Sequence, residues 1–335
     1  MGRSALLIIA VLAVAALVTY LAVQRPGAPP STQTQSPVNK STASQTTPKP
    51  ACSGSPLGYV APTLVPVVKD AVVAAHMSPD AIQSVGSVEG LRRIQQGSVP
   101  DVFASVDIEL EGDVKKTGLT RSVYSLGRFK IALACMRLVN HVRDVANLTT
   151  ALADPNKAPI GYRELALAWM LYKAGEADLL KKYEALGIRF VETPSGVNIT
   201  VPTTLPPTEK TLVAPNLDAT WTKLETGAAD CVFTYTAYVA PRLSMAKAGE
   251  EKIWDVYVAN YTKGRLYIYV FKPPYDFAQD PPQVIYANFV DPAGRVVKTI
   301  RVGHFEAFVA SFTERGDCVV EALRRMDLAK YGLIR

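Results

Sequence analysis

A layered α/β architecture is the fold class this sequence predicts, on three observations. The chain has 335 residues, of which 48% are hydrophobic and 20% charged, enough for a sizeable core in one or two domains. Beyond Thr63 the apolar residues recur alternately at helical and at strand spacing. Gly and Pro stand at the joints, where strand-to-helix turns need them. Strands alternating with helices argue for mainly parallel sheets.

Residues 63–76 place Leu64, Val67, Val68, Ala71, Val72 and Ala75 on one helical face. Residues 81–85 read as a short strand, and 88–96 as a helix stopped by Gly97. A buried strand is expected at 101–106 and a long apolar one at 128–136. Residues 162–183 are helical, in two pieces around Gly175. Residues 218–226 form a helix ended by Gly227, and 231–235 a strand. A strand pair turning near Lys263-Gly264 fills 254–271, a strand follows at 284–290, and 291–294 is a turn. Residues 305–312 and 318–326 are expected as closing helices.

The amino end is of another kind. Residues 5–23 are almost wholly apolar and are flanked by Arg3 and Arg25. About 20 such residues span a bilayer as a helix. Residues 1–24 are therefore a signal peptide or an uncleaved transmembrane anchor. The weakly charged start and the lack of a convincing small-x-small cleavage site after the apolar run favour the anchor. Residues 25–55 are rich in Pro, Ser and Thr and form a stalk that cannot pack a core. Either way the rest lies outside the membrane on the extracellular side, tethered or secreted. Sequons at Asn39, Asn147, Asn198 and Asn260 suit that location. Cys52, Cys135, Cys231 and Cys318 match no zinc pattern; disulfides in any of three complete pairings and buried thiols are both open readings, with Cys52 in the stalk.

Thirty-six Lys and Arg against 30 Asp and Glu leave a net charge of +6, spread along the chain without a basic run. No nucleic-acid partner is expected. The three histidines, His76, His141 and His304, hold no metal-ligand spacing. His304 and Glu306, two apart on an expected helix, do not face one way. Ser105 with Asp107 has no nearby His and no nucleophile elbow. No catalytic residue and no cofactor are expected, so the chain is read as a binding protein rather than an enzyme.

Four stretches carry the binding reading. Ala61-Pro62-Thr63-Leu64 opens a helix. Gly86-Ser87-Val88-Glu89-Gly90 opens another and precedes Asp101-Val102-Phe103-Ala104-Ser105-Val106-Asp107. Asp154-Pro155-Asn156-Lys157-Ala158-Pro159-Ile160-Gly161-Tyr162-Arg163-Glu164 runs into a third, where free backbone N–H groups suit an anion. The last runs from Pro215 through Gly227-Ala228-Ala229-Asp230-Cys231-Val232-Phe233-Thr234-Tyr235. In that order and spacing they resemble the solute-binding proteins of molybdate/tungstate ABC importers. The resemblance covers Ala61 to Tyr235 and leaves out the stalk and anchor.

It implies a two-lobed, type II periplasmic-binding-protein-like fold. Residues 56–131 with 288–335 would form one lobe and 132–287 the other, with 128–136 and 284–290 as crossing strands. It implies ligand-binding roles for Thr63, Ser87, Ile160, Leu217 and Tyr235. Hydroxyls would come from Thr63, Ser87 and Tyr235, and backbone N–H groups from Ser87, Ile160 and Leu217. Carboxylates that one branch of the family adds to the metal are replaced here by Ala158 and Leu217. Neutral donors alone are therefore expected to hold a molybdate or tungstate oxyanion, the metal entering only as that oxyanion. The partners implied are the oxyanion, an ABC permease and, through the N-terminal segment, the membrane. A surface sensor on the same scaffold, or an importer protein for sulfate, phosphate or a small organic anion, are the alternatives. Residue by residue, plainer readings also exist: Thr63 and Ser87 as helix caps, Arg163 and Glu164 as a solvated first turn, Asp107 as a strand end or cap, and Tyr235 as core.

Overall fold

The computed structural model describes residues 52–334. The anchor or signal segment at residues 1–24, and the stalk as far as residue 51, lie outside these residues. Among the described residues no helix is long and apolar enough to cross a membrane.

The chain opens with β1 (Gly58–Val60), a 3-10 turn at Pro62–Leu64 and helix α1 (Val65–Ala74). Strand β2 (Ile82–Ser84), helix α2 (Ser87–Gln95) and β3 (Val102–Ser105) follow. Helix α3 (Glu111–Lys116) leads to β4 (Ser122–Arg128) and then β5 (Ile131–Cys135). Next come β6 (Thr150–Ala153), α4 (Pro159–Lys173) and α5 (Leu180–Glu184). Strands β7 (Arg189–Thr193), β8 (Gly196–Pro202) and β9 (Thr211–Ala214) precede α6 (Leu217–Thr226). Strand β10 (Cys231–Tyr235) runs into the single turn α7 (Thr236–Val239). The rest is β11 (Met245–Glu250), β12 (Trp254–Tyr261), β13 (Gly264–Phe271), β14 (Val284–Val290), β15 (Val296–Arg301), β16 (Glu306–Ser311) and α8 (Glu314–Arg325).

These strands form three sheets, in the orders β2-β1-β3-β16-β4, β11-β12-β13-β5-β10-β6-β9 and β15-β14-β8-β7. Only β1 with β2 and β3, β6 with β9 and β10, and β8 with β14 run parallel. The remaining neighbours are antiparallel, which corrects the expectation of mainly parallel sheets. The reason is local. The β12–β13 turn at Tyr261–Gly264 is too short for the crossover a parallel pair requires.

The fold is two-lobed α/β. The chain leaves the first sheet at Arg128, passes through Phe129 and Lys130, and enters the second at Ile131. Residues 128–136, expected as one strand, are thus two strands in different sheets. It returns through Val302 to Phe305, between β15 and β16. Strand β14 does not make that return; it pairs with β8 and β15 in the third sheet.

Residues 305–312 are strand, not helix. Phe305, Phe308, Val309 and Phe312 stand at i, i+3, i+4 and i+7 and so imitate a helical face. Strand β16 lies between β3 and β4 with both faces buried, where every second position need not be polar. Neighbouring β3 divides its side chains by the pleat: Val102 and Ala104 join the large core, and Phe103 the smaller cluster with Tyr59, Leu91 and Phe308.

All four cysteines are paired, as Cys52–Cys318 and Cys135–Cys231. The first joins the start of the described chain to α8, so Cys52 belongs to the folded part rather than to the stalk. The second links directly opposed positions of β5 and β10.

Candidate functional site

The register of the parallel strands brings the five expected ligand positions to two sheet edges. In the first sheet Val60 pairs with both Ser84 and Ala104, so β1, β2 and β3 end at one level. Thr63 follows β1, Ser87 follows β2, and the turn 105–107 follows β3. In the second sheet Ala153 pairs with Ala214, and Ala151 with Val232. That sets Ile160 beyond the end of β6, Leu217 beyond β9, and Tyr235 on the last residue of β10. The carboxyl ends of parallel strands, where helices begin, are where α/β folds place ligands.

The two edges touch. A Cβ on Gly86 would lie 2.7 Å from the carbonyl oxygen of Lys157, so only the missing side chain lets the α2 and α4 entry loops meet. The Ser84 hydroxyl donates to Asp218 at 2.6 Å, and Arg242 Nη2 donates to the Pro62 carbonyl at 3.0 Å. All five positions are accordingly buried: Thr63 is 3% exposed, Ser87 1%, Ile160 1%, Leu217 2% and Tyr235 1%.

Each local segment explains its own donor. Ser87 is the first residue of α2, and its hydroxyl accepts from the Val106 N–H at 3.2 Å. Its proton stays free for another acceptor, and it is not a cap: the N-cap is Gly86, and no side chain caps this helix. The Thr63 hydroxyl has no hydrogen-bond partner among the described residues. Ile160 is in the first turn of α4, behind Pro159, where backbone N–H groups lack intrahelical acceptors. The Asp154 carboxylate shapes the loop before it, accepting from the Asn156 N–H at 3.0 Å. Gly161 is required because a Cβ there would overlap the Ala153 carbonyl oxygen. Leu217 opens α6 behind Asn216, which caps the helix by accepting from the Ala219 N–H at 2.9 Å. The Tyr235 ring meets Phe129 and Phe305 edge-on, at 5.0 and 4.7 Å between centroids. Its hydroxyl is buried without a partner among the described residues. Burial raises its pKa well above the ordinary value, with Arg163 opposing and Asp107 adding to the rise.

Beside these lies a buried charged network that sequence reasoning passed over. Arg163 Nη2 pairs with Asp107 Oδ1 at 2.7 Å, both side chains being fully buried. The Tyr162 hydroxyl donates to the other Asp107 oxygen. Arg163 also donates to the carbonyls of Gly303, at 3.2 Å, and His304, at 3.0 Å, on the return crossing. Burial works against the Arg163 charge, but Asp107 outweighs it and holds the guanidinium above its ordinary pKa. Asp107 does cap, accepting from the Glu109 N–H at 3.3 Å, but it is also the counter-ion of Arg163. Arg163 and Glu164 are not a solvated turn: every residue from Pro159 to Leu171 is buried. That sign was present, because a helix apolar on all faces is a buried helix whatever charges it carries. His304 likewise departs from expectation. Outside any helix, it turns Nδ1 to Asp280 at 2.7 Å and Nε2 to Glu306 at 3.1 Å.

No carboxylate replaces the two missing ones. Ala158 is the N-cap of α4, and Asp218, next to Leu217, is engaged by Ser84 and by the Tyr238 hydroxyl at 2.9 Å. Among the described residues, no group of three or more His, Cys, Asp or Glu could hold a metal ion. The arrangement offers hydroxyl and N–H donors in a dry place, with one guanidinium close by.

No protein-family model matches the chain, and no curated protein matches it. Among solved structures it is similar to the periplasmic molybdate-binding protein of Azotobacter vinelandii, at 15% identity and a TM-score of 0.48, with 84% of this chain and 98% of that one covered. It is also similar to the sulfate-binding protein SubI of Mycobacterium tuberculosis H37Rv, at 11% identity and a TM-score of 0.49, covering 84% and 86%. A third is an arginine-transport periplasmic binding protein of Legionella pneumophila, at 7% identity and a TM-score of 0.37, covering 83% and 96%. At these identities the likeness concerns the fold alone.

Proposed function

We propose that this protein is an extracytoplasmic solute-binding protein that captures a tetrahedral oxyanion, molybdate or tungstate, between its two lobes. The observation that carries the reading is the Tyr235 hydroxyl, buried and unpartnered where two sets of strand ends and helix starts meet. Thr63, Ser87 and Tyr235 donate hydroxyls, and Ser87, Ile160 and Leu217 donate backbone N–H groups. Helix N-termini add a favourable dipole. Hydrogen bonds to charged groups contribute about 1.5–3 kcal/mol each. Five or six, less the expense of association, support micromolar or tighter binding.

One lobe gathers around the first sheet and the other around the second and third, with hinges at 129–130 and 302–305. Closure brings Ser84 to Asp218 and Arg242 to Pro62, and an ABC permease reads the closed form. Residues 1–24 tether the protein to the outer side of the membrane. It is not a catalyst.

Thermal unfolding of the full chain with molybdate, tungstate, sulfate and phosphate, each added alone, tests the reading. A ligand that binds only the folded state raises the melting temperature by mass action. A rise with molybdate or tungstate alone is expected. A rise with sulfate or phosphate alone would keep the site and change its cargo, and no rise with any would remove the oxyanion reading.

A further inference from the structure

Arg163 has no role in the neutral-donor scheme, yet its side chain is fully buried and held by Asp107 and two carbonyls. A guanidinium carries five N–H donors. Nε is spent on Gly303, and Nη2 on Asp107 and His304. Nη1 is buried and has no partner among the described residues. Buried donors are rarely left unpaired, and least of all on a charged group.

Another donor buried without a partner among the described residues is the Tyr235 hydroxyl. The two side chains lie against one ring. Arg163 Cζ is 4.6 Å from the centroid of Phe305, and the Tyr235 centroid is 4.7 Å from it. Burial raises the phenol's pKa, and the Arg163 charge opposes that rise. One is a permanently charged donor, unable to lose its proton; the other offers a single O–H.

We infer that Arg163 Nη1 and the Tyr235 hydroxyl together hold the bound oxyanion, with Asp107 and Tyr162 positioning the guanidinium. The assignment rests on the oxyanion reading and gives that site a charge which the neutral donors lack. It makes the site selective for dianions. A full charge adds more per unit of ligand charge than an N–H dipole does, and so widens the gap between a dianion and a monoanion of similar shape.

The test compares calorimetric titrations of the full chain with molybdate, a dianion, and perchlorate, a tetrahedral monoanion. The variant is Arg163→Gln with Asp107→Asn, which removes both charges and leaves no buried ion alone. The expected result is a folded variant that binds molybdate at least tenfold more weakly and prefers it less over perchlorate. A folded variant with wild-type affinity and preference overturns the assignment while the function stands. Failure of the wild-type chain to bind either anion overturns both. Should the variant not fold, nitrogen-15 spectra of the arginine side chains in the wild-type chain decide. Molybdate is expected to shift the Arg163 Nη1 resonance, and an unshifted resonance at saturating molybdate overturns the assignment.

Discussion

Replacing Tyr235 by Phe should move stability and affinity in opposite directions. The ring would keep its place, because its neighbours are the Phe129 and Phe305 rings at 5.0 and 4.7 Å and no bond from the described residues holds its oxygen. A buried polar atom without a partner costs about 1–3 kcal/mol. Removing it should therefore leave the ligand-free protein as stable as before, or more stable by up to that amount. With ligand the sign reverses. The lost hydrogen bond to a dianion is worth about 1.5–3 kcal/mol, or roughly 10- to 150-fold in affinity. Thermal unfolding without ligand and calorimetric titration with molybdate read the two effects separately. A ligand-free variant that is less stable but binds as before would refute the reasoning, since the hydroxyl would then serve the fold and not the ligand.

Three further perturbations follow from the geometry. Gly86→Ala should weaken binding without straining the chain: φ −58° and ψ 142° suit any residue, but the new Cβ meets Lys157 across the cleft. Overpacking of this kind costs about 1–3 kcal/mol, and titration together with the ligand-induced change in scattering radius should show it as incomplete closure. Glu164 is pushed up to about 8 by burial, with Tyr183 and Lys182 pulling it partly back. Its folded-state proton is one the unfolded chain gives up near 4.5, so its contribution is full below that pH and is lost as pH rises toward 8. Lys182, lowered to about 8 by burial, acts in the next window, adding stability as pH rises from 8 to 10.5. Glu164→Gln should flatten the fall between those first two values, by a few kcal/mol on the order-of-magnitude scale of such shifts; denaturant unfolding across pH that kept the fall would count against it. Cys52→Ser should lower stability by about 3–5 kcal/mol, since the bridge to Cys318 closes most of the chain. Its molybdate affinity should not change, and a change would mean that the bridge shapes the cleft.

The helix starts proposed to carry the donors were legible in the sequence. Pro62, Gly86, Pro159 with Gly161, and Asn216 mark them, because the backbone itself makes such starts. What could not be read was whatever depends on contact between distant segments. Asp107 and Arg163 are 56 positions apart and look like ordinary surface charges until β3 and α4 are brought together. The cysteine pairs are in the same class, being set by where α8 and β10 come to rest. Strand β16 escaped for another reason: when both faces of a strand are buried, its apolar pattern loses the period of two that would identify it. The hairpins β7–β8 and β11–β12 escaped because half-exposed strands of mixed composition carry little period of either kind.

Calorimetric titration of the full chain with sodium molybdate, with sodium chloride as the blank, tests the central claim most directly. One ion should bind per chain, at micromolar or lower concentration, and Tyr235→Phe should weaken it. Absence of binding by molybdate and by tungstate, from a chain that unfolds cooperatively and is therefore folded, would contradict the claim that these strand ends form an oxyanion clamp.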